Sequence, residues 1–433
     1  MINTIKKIYN NKDKKLFPLK LILFFLFSIT SVYFYLNIIE NINPSKYAFN
    51  ELFINYQAGF IRRGLLGEIF WHLNNFLEVK PILFFSYLFF FLYLFQIYFY
   101  SKILKRYSNS VFIYIIIFLS PALILFPIYD INMFFIKDIF IKLTILLHGF
   151  IIVNNIENKK NYSNYIGKLK FIIIPILFSI ILVHEYQVLF LSIHILLSLS
   201  FINNKEKLLE IFKTYLLLIL PILLVLFFIG DQNQFEILSE ELQKFEVDLH
   251  PQLNGGFYKA LGGFYKWHFY YFGYKDFIQL ITSLFFSLGV FFLIFHFFIE
   301  EKIIKFHTEY QKNYLYFFIP TLICFILAID HGRNISLLAT HLVVFYAVLT
   351  LDQKRLSVLK NKIKKKFLIK FFLIVFLILY IFMWRLDQMA GFGGAEQTNT
   401  IFQSSIFAEC IKFIKFLYSY IDLNIINLPA IKL

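Results

Sequence analysis

The chain has 433 residues, 59% of them hydrophobic and 21% aromatic, with a formal net charge of +15. Soluble domains average about 45–50% apolar residues, so a mean hydropathy of +0.68 excludes an ordinary soluble globule and predicts an all-α, polytopic helix bundle in lipid. The basic residues fall in short loops between apolar runs, where they set orientation in a membrane, which excludes a nucleic-acid binder as the reading of the charge.

Residues 1–16 carry Lys6, Lys7, Lys12, Lys14 and Lys15, which predicts a cytoplasmic N-terminus. The first apolar run, about 17–38, is long enough to span and has no small-residue cleavage site after it, so we expect an anchor and not a cleaved signal. An outer segment of about 39–80 follows and holds Asn55-Tyr-Gln-Ala-Gly-Phe-Ile-Arg-Arg-Gly-Leu-Leu-Gly-Glu-Ile69. Its Ile61, Leu65, Leu66, Ile69 and Phe70 recur at helical spacing, as in a helix lying on a membrane surface. Span 2 is about 81–103. Span 3 starts near Val111 and is interrupted by Pro121 and Pro127. Span 4 runs from about Asp138 to Val153, and Lys159, Lys160, Lys168 and Lys170 lie in the next inner loop.

Span 5 starts near Phe171 and reaches His184-Glu185, a tight hairpin into span 6, which ends near Ile202. Lys205, Lys207 and Lys213 precede span 7, about 214–229. A second outer segment, about 230–275, is acidic and helical in pattern from Phe235 to Asp248, then repeats Gly-Gly-Phe-Tyr-Lys twice. Spans 8 to 11 are about 277–299, 314–329, 335–351 and 367–386, with Asp330-His-Gly-Arg-Asn334 as a tight hairpin between the ninth and tenth. The tail 388–433 is left outside, and its stretch 401–420 reads as an interfacial helix or a twelfth span. About eleven transmembrane helices in a single domain, 1–433, put every strongly basic loop on one side.

The remaining polar residues sort to the other side. Arg62 and Arg63, Asp130, Lys137 and Asp138, His184 and Glu185, and Asp330, His331 and Arg333 all fall at outer ends of spans or in outer loops. Ionisable groups at membrane depth are costly unless paired, hydrated or ligand-binding, so their common level predicts one polar chamber. Two adjacent arginines among Gly59, Gly64 and Gly67 suit an anion, and the guanidinium fork matches phosphate. Each group also has a plainer reading: a helix-end anchor for the arginines and for Lys137-Asp138, and polar turn chemistry for the two hairpins. His148, His194 and His341 lie within spans and read as helix-packing histidines. Scattered histidines give no metal-ligand spacing, and Cys324 and Cys410 give no disulfide framework. No nucleotide-binding glycine motif is present.

Tyr-x-x-Gly-Phe-x-Arg-Arg-Gly-Leu in the first outer loop, Lys-Asp at the head of a span, a His-Glu hairpin and Asp-x-Gly-Arg together resemble a group of bacterial membrane proteins of surface-polysaccharide synthesis. The plan is similar to polyprenyl-phosphate-dependent glycosyltransferases of the GT-C type and to O-antigen polymerases, as islands within about 56–334. It departs from the first in lacking an acidic pair in the first outer loop, and from the second in having no arginine in 230–275. The resemblance implies a glycosyltransferase or polymerase of the cell inner membrane, acting on polyprenyl-(di)phosphate-linked sugars at the periplasmic face. Asp330, Glu185 or Asp138 would be the base. Arg62, Arg63, Arg333 and Lys137 would hold the phosphate, with His184 and His331 assisting. No metal or cofactor is required, and the expected partners are the lipid-linked sugar and membrane lipid. A transporter or flippase of the same lipids, or a non-catalytic assembly subunit, are the alternatives. A flippase would carry polar groups through to the inner half of the bundle.

Overall fold

A computed structural model describes residues 26–28, 31, 47–78, 80–104, 117–129, 134–158, 162–200, 205–245, 247, 280–289, 331–349, 375 and 386. The expected first, ninth and eleventh spans, Asp130, Asp330, the Gly-Gly-Phe-Tyr-Lys repeats and 401–420 lie outside these residues or almost wholly so. The described part is all-helical, with no strand among the described residues.

After a short buried turn at Glu51–Phe53 and a loop, α1 spans Leu65–Leu77. It buries Leu66, Gly67 and Phe70 and exposes Ile69, Phe76 and Leu77, the two-sided character that its apolar spacing predicts. Helices α2 (Pro81–Leu104), α3 (Asp138–Glu157) and α4 (Tyr162–Val183) are each long and apolar enough to cross a membrane. Helix α5 spans Gln187–Ser200. Helix α6 (Lys205–Tyr215) passes through one 3₁₀ turn, Leu216–Leu218, into α7 (Ile219–Phe227), and Leu208–Phe227 is the fourth stretch of membrane-spanning length and hydropathy. Helix α8 (Gln232–Gln243) starts on a capping box in which Asp231 accepts from the Gln234 N–H and the Gln234 side chain accepts from the Asp231 N–H. Helix α9 spans His331–Leu349.

Helices α3 and α9 form the centre. They pack along each other, and every residue from 331 to 348 is buried. Gly149 permits the approach, since a Cβ there would stand 2.4 Å from Val344 Cγ1. Helices α2 and α7 are peripheral and turn Phe91, Phe95, Leu220, Leu226 and Phe227 outward. An apolar exterior of this extent is a liability in water and ordinary in hydrocarbon, where lipid tails are as apolar as leucine.

Three sequence expectations change. Lys168 and Lys170 lie within α4, and Lys205 and Lys213 within α6, where inner loops were expected. Long basic side chains reach polar partners from a helix end: Lys168 donates to Asn155 Oδ1 at 3.1 Å, and Lys170 to Glu210 Oε1 at 2.8 Å. His331–Asn334 is the first turn of α9, where a hairpin was expected. Both spanning prolines distort the turn before them. A π-helical turn at Leu169–Ile173 precedes Pro175, and the 3₁₀ turn at Leu216–Leu218 precedes Pro221. Proline has no N–H for the carbonyl four residues back and crowds it, so that turn opens or tightens. The break expected at Pro121 is present as a buried turn whose Ala122 carbonyl accepts from Ser336 Oγ at 2.7 Å. Irregular backbone at this depth is tolerated where protein groups satisfy it.

The close approaches give a first prediction. A Cβ at Gly67 would stand 2.1 Å from the Ile54 carbonyl oxygen, whereas one at Gly167 would meet nothing within 4 Å. Gly67→Ala therefore lowers stability by about 1–3 kcal/mol through overpacking, and Gly167→Ala leaves it unchanged or raises it by roughly 0.5–1 kcal/mol through helix propensity. Thermal unfolding of the two purified variants in detergent checks both.

Candidate functional site

The loop between Ile54 and Gly64 is held from two sides. Glu68 of α1 accepts from the Tyr56 N–H at 2.8 Å and from Gln57 Nε2 at 2.9 Å. From the other side, the Phe228 carbonyl accepts from the Arg62 N–H at 2.9 Å, and Gln234 Nε2 donates to the Ala58 carbonyl at 3.1 Å. Gly59 turns the chain at φ +100. Gly64 lies against the Tyr56 ring, 2.3 Å from where a Cβ would be. Arg63 takes φ +67, a left-handed conformation that disfavours a residue with a Cβ by about 1–2 kcal/mol. Its side chain supplies the reason that this conformation persists.

All three Arg63 guanidinium nitrogens meet carboxylates. Nε donates to Glu185 Oε2 at 2.7 Å, Nη2 to Glu185 Oε1, and Nη1 to Glu51 Oε1. Its carbonyl accepts from Lys137 Nζ at 2.9 Å. Arg62 reaches the same Glu185 more loosely, at 3.9 Å. The second half of the cluster centres on Asp138, the first residue of α3. Arg333 forks onto it, Nε to Oδ2 at 3.0 Å and Nη2 to Oδ1 at 2.9 Å, and His184 Nε2 lies 3.1 Å from Oδ1. His184 links the halves, with Nδ1 3.7 Å from Glu185 Oε2. One turn along α3, Lys142 donates to Ser336 Oγ at 2.7 Å. His331 is buried in the first turn of α9.

Four chain-distant segments are thus joined: the arginine loop, the start of α3, the α4–α5 turn and the start of α9. Helices α3 and α9 begin at this end of the bundle and α4 finishes there; the Lys168–Asn155 and Lys170–Glu210 pairs mark the other end. Lys137 and Asp138 are 0% and 5% exposed, so they face protein and do not snorkel. A small cleft lined by Tyr93, Phe126, Ile136, Asp138 and Lys142 opens beside the cluster. Among the described residues no group of three or more His, Cys, Asp or Glu has the geometry of a metal site.

Glu51 is not among the candidate residues that the sequence points to. A carboxylate set between Phe49, Leu52 and Phe53 needs a buried cation, and that apolar setting was the available signal. Lys142 is not among those candidates either, and its Ser336 partner is 194 residues away. Asp330 lies outside the described residues.

Burial raises the carboxyl values of Glu51 and Glu185. Beside them the Arg63 guanidinium, with Lys137 near Glu51 and Arg62 near Glu185, reverses this and holds both below the ordinary 4.5, Glu185 well below it. Burial pulls the Lys137 ammonium down to about 8, against the attraction of Glu51. A carboxylate held ionised by neighbouring cations is a weak base. Glu51 and Glu185 therefore orient Arg63, while five cations of the cluster (Arg62, Arg63, Lys137, Lys142 and Arg333) face three carboxylates (Glu51, Asp138 and Glu185) among the described residues. An added anion is the chemistry this balance favours.

Comparison with known proteins gives no match to a family model, a curated protein or a solved structure. Fold and site alone define the class: a helical protein, with four helices fit to cross a membrane, that gathers a buried ion-pair cluster at one end.

Two predictions follow from these pairs. Asp138→Asn removes the buried carboxylate charge that the Arg333 guanidinium forks onto, at a cost of about 3–5 kcal/mol; the reverse variant Arg333→Gln costs similarly, and the double variant recovers part of the loss. Chemical unfolding of the three variants beside the parent protein checks the cycle. In acid, a depressed folded-state value means stability that is present above 4.5 and lost as pH falls through the folded-state values of Glu51 and Glu185. The unfolding midpoint should hold from pH 7 to about 5 and fall below 4.5, and Glu185→Gln should start lower and fall less steeply.

Proposed function

We propose that the protein is a glycosyltransferase or polysaccharide polymerase that uses polyprenyl-(di)phosphate-linked sugars at the periplasmic face of the cell inner membrane. Its N-terminus is then cytoplasmic, and the bundle has about eleven spans. The observation that supports this best is the convergence of Arg62, Arg63, Lys137 and Arg333 on one largely buried cluster at one end of apolar helices. Glycosyl transfer from a lipid phosphate needs cations where charge develops on the leaving oxygen and a base for the acceptor hydroxyl. The reading assigns the first task to Arg62, Arg333 and Lys137, with His184 and His331 beside them. Arg63 is fixed by Glu51 and Glu185 and shapes the loop that carries Arg62. Glu185 and Asp138, clasped by arginines, serve as positioning residues. Asp330, which precedes His331 in the chain, is assigned the base.

A transporter of the same lipids is a second reading, and a specific observation favours it. Buried polar groups continue past the cluster along α3, α5 and α9 as Lys142, Thr340, His341, His194 and His148. A transporter would grip the phosphate with the same cations and need no base.

Arg62→Lys keeps the charge but removes the bidentate fork. We expect loss of product with normal membrane abundance, and about 10²–10⁴-fold loss of rate for Asp330→Asn if that carboxylate is the base. Lipid-linked glycans extracted from cells carrying each variant check this. Parental glycan levels in Arg62→Lys contradict the phosphate grip. Full activity in Asp330→Asn with loss in Arg62→Lys would move the reading to the transporter.

A further inference from the structure

We propose that a chain of buried imidazoles and hydroxyls, His194, His148, Tyr165, Ser198 and Tyr215, is a proton path from mid-bundle to the end opposite the charge cluster. The geometry starts from two facing histidines. His148 Nδ1 and His194 Nδ1 lie 3.0 Å apart, with rings nearly parallel at 8° and centroids 5.2 Å apart. One nitrogen must donate and the other accept, so the two rings hold different tautomers and share one hydrogen. His148 Nε2 is 2.9 Å from Tyr165 Oη, Tyr165 donates to Ser198 Oγ at 2.8 Å, and Ser198 Oγ is 3.0 Å from Tyr215 Oη. His148, His194, Tyr165 and Ser198 are 0% exposed. The five residues come from four helices, α3, α4, α5 and α6, so the chain crosses between helices and does not merely satisfy groups within one.

Interhelical hydrogen bonds that only hold spans together are the plain alternative. That reading explains bonded pairs. It leaves His194 Nε2, and also His341 Nε2 on α9, buried without a hydrogen-bond partner among the described residues. The two rings lie 6.2 Å apart and edge-on, between the bonded chain and the charge cluster. His341 is eight residues beyond Arg333, about 12 Å along the helix. Between these levels, Lys142 donates to Ser336, and Tyr100 Oη donates to Thr340 Oγ1 at 3.2 Å. His194 Nε2 is the end of the bonded chain on that side, and a proton-accepting imidazole nitrogen is what the entry point of a relay requires.

The transfer balances. A proton arriving at His194 Nε2 makes an imidazolium, which passes its Nδ1 hydrogen to His148 Nδ1. His148 passes its Nε2 hydrogen to Tyr165 Oη, Tyr165 passes its own to Ser198 Oγ, and Ser198 passes one to Tyr215 Oη. Tyr215 releases its original hydrogen toward the lysine-bearing end. One proton enters and one leaves, each imidazole ends in its other tautomer with its C=N bond moved to the other nitrogen, and ring and hydroxyl rotations reset the chain. Other titratable groups close to it are His341 on α9, beside His194, and Tyr162 on α4, near Tyr165. The inference does not depend on the glycosyltransferase reading. In either reading it gives the cluster's interior side a route for protons to the opposite face.

The test uses the full chain in lipid vesicles loaded with a pH-sensitive dye, with a valinomycin-set potassium diffusion potential as the driving force. Proton uptake should exceed that of protein-free vesicles several-fold. Tyr165→Phe keeps the ring beside His148 and removes only the hydroxyl. His148→Gln keeps hydrogen bonding but cannot shuttle. Each should fall to the protein-free rate while remaining monodisperse, whereas Tyr98→Phe, on the exterior of α2, should conduct as the parent does. Parental protein at the protein-free rate, or parental flux in either folded relay variant, overturns the proposal.

Discussion

Charge removed from water must be matched, and the Arg63 guanidinium between Glu51 and Glu185 is where this structure meets that demand first. Each end of the interaction fixes something else. Glu51 sits in an otherwise apolar turn, Glu185 in the turn between α4 and α5, and Arg63 in a strained left-handed conformation that only a firm grip sustains. Because the Arg63 carbonyl also receives Lys137, the same residue positions the start of α3. There Asp138 takes the fork of Arg333 and so fixes the start of α9. Removing one member of such a buried set costs several kcal/mol, more than a loop of this size supplies from packing. The loop, the hairpin and two helix starts therefore stand or fall together.

The rest of the bundle serves this arrangement. Helices α3 and α9 are buried along nearly their whole length and carry the polar residues; α2 and α7 shield them and present phenylalanine and leucine outward. Hydrocarbon gives no hydrophobic drive between helices, so close packing and interhelical hydrogen bonds must hold them. Gly149 against Val344 illustrates the first, and His148 with Tyr165 the second. The two proline-linked distortions, before Pro175 and Pro221, are absorbed on the flanking helices and leave the central pair regular.

Much of this was legible in the sequence because composition and periodicity act locally. Runs of apolar residues of bilayer length placed α2, α3 and the apolar part of α4, and the polar His184-Glu185 break placed the turn between α4 and α5. The gathering of Arg62-Arg63, Lys137-Asp138, His184-Glu185 and Arg333 followed from one consideration, that charge at membrane depth seeks company. Pairing was not legible. Nothing in the sequence shows that Arg63 is clasped by two carboxylates, or joins Lys142 to Ser336, because partners 122 and 194 residues apart are chosen by packing. Helix starts were misread where charge was taken as loop: Lys168, Lys170 and His331-Gly-Arg-Asn334 all lie within helices, since long side chains find polar partners without leaving the helix. The three histidines read as helix-packing residues pack helices indeed, but their bonding to one another has no sequence signature.

The cluster's cation excess, its burial and its position at one end of the helices all bear on a single claim, that it binds the phosphate of a lipid carrier. The most direct measurement compares thermal unfolding of the purified protein with a polyprenyl monophosphate and with the uncharged polyprenol of equal chain length. A ligand at about 100 times its dissociation constant stabilises by roughly 2.7 kcal/mol. The account predicts a dose-dependent rise in midpoint with the phosphate alone, lost in Arg62→Gln. Equal shifts with phosphate and alcohol, or none with either, would contradict it.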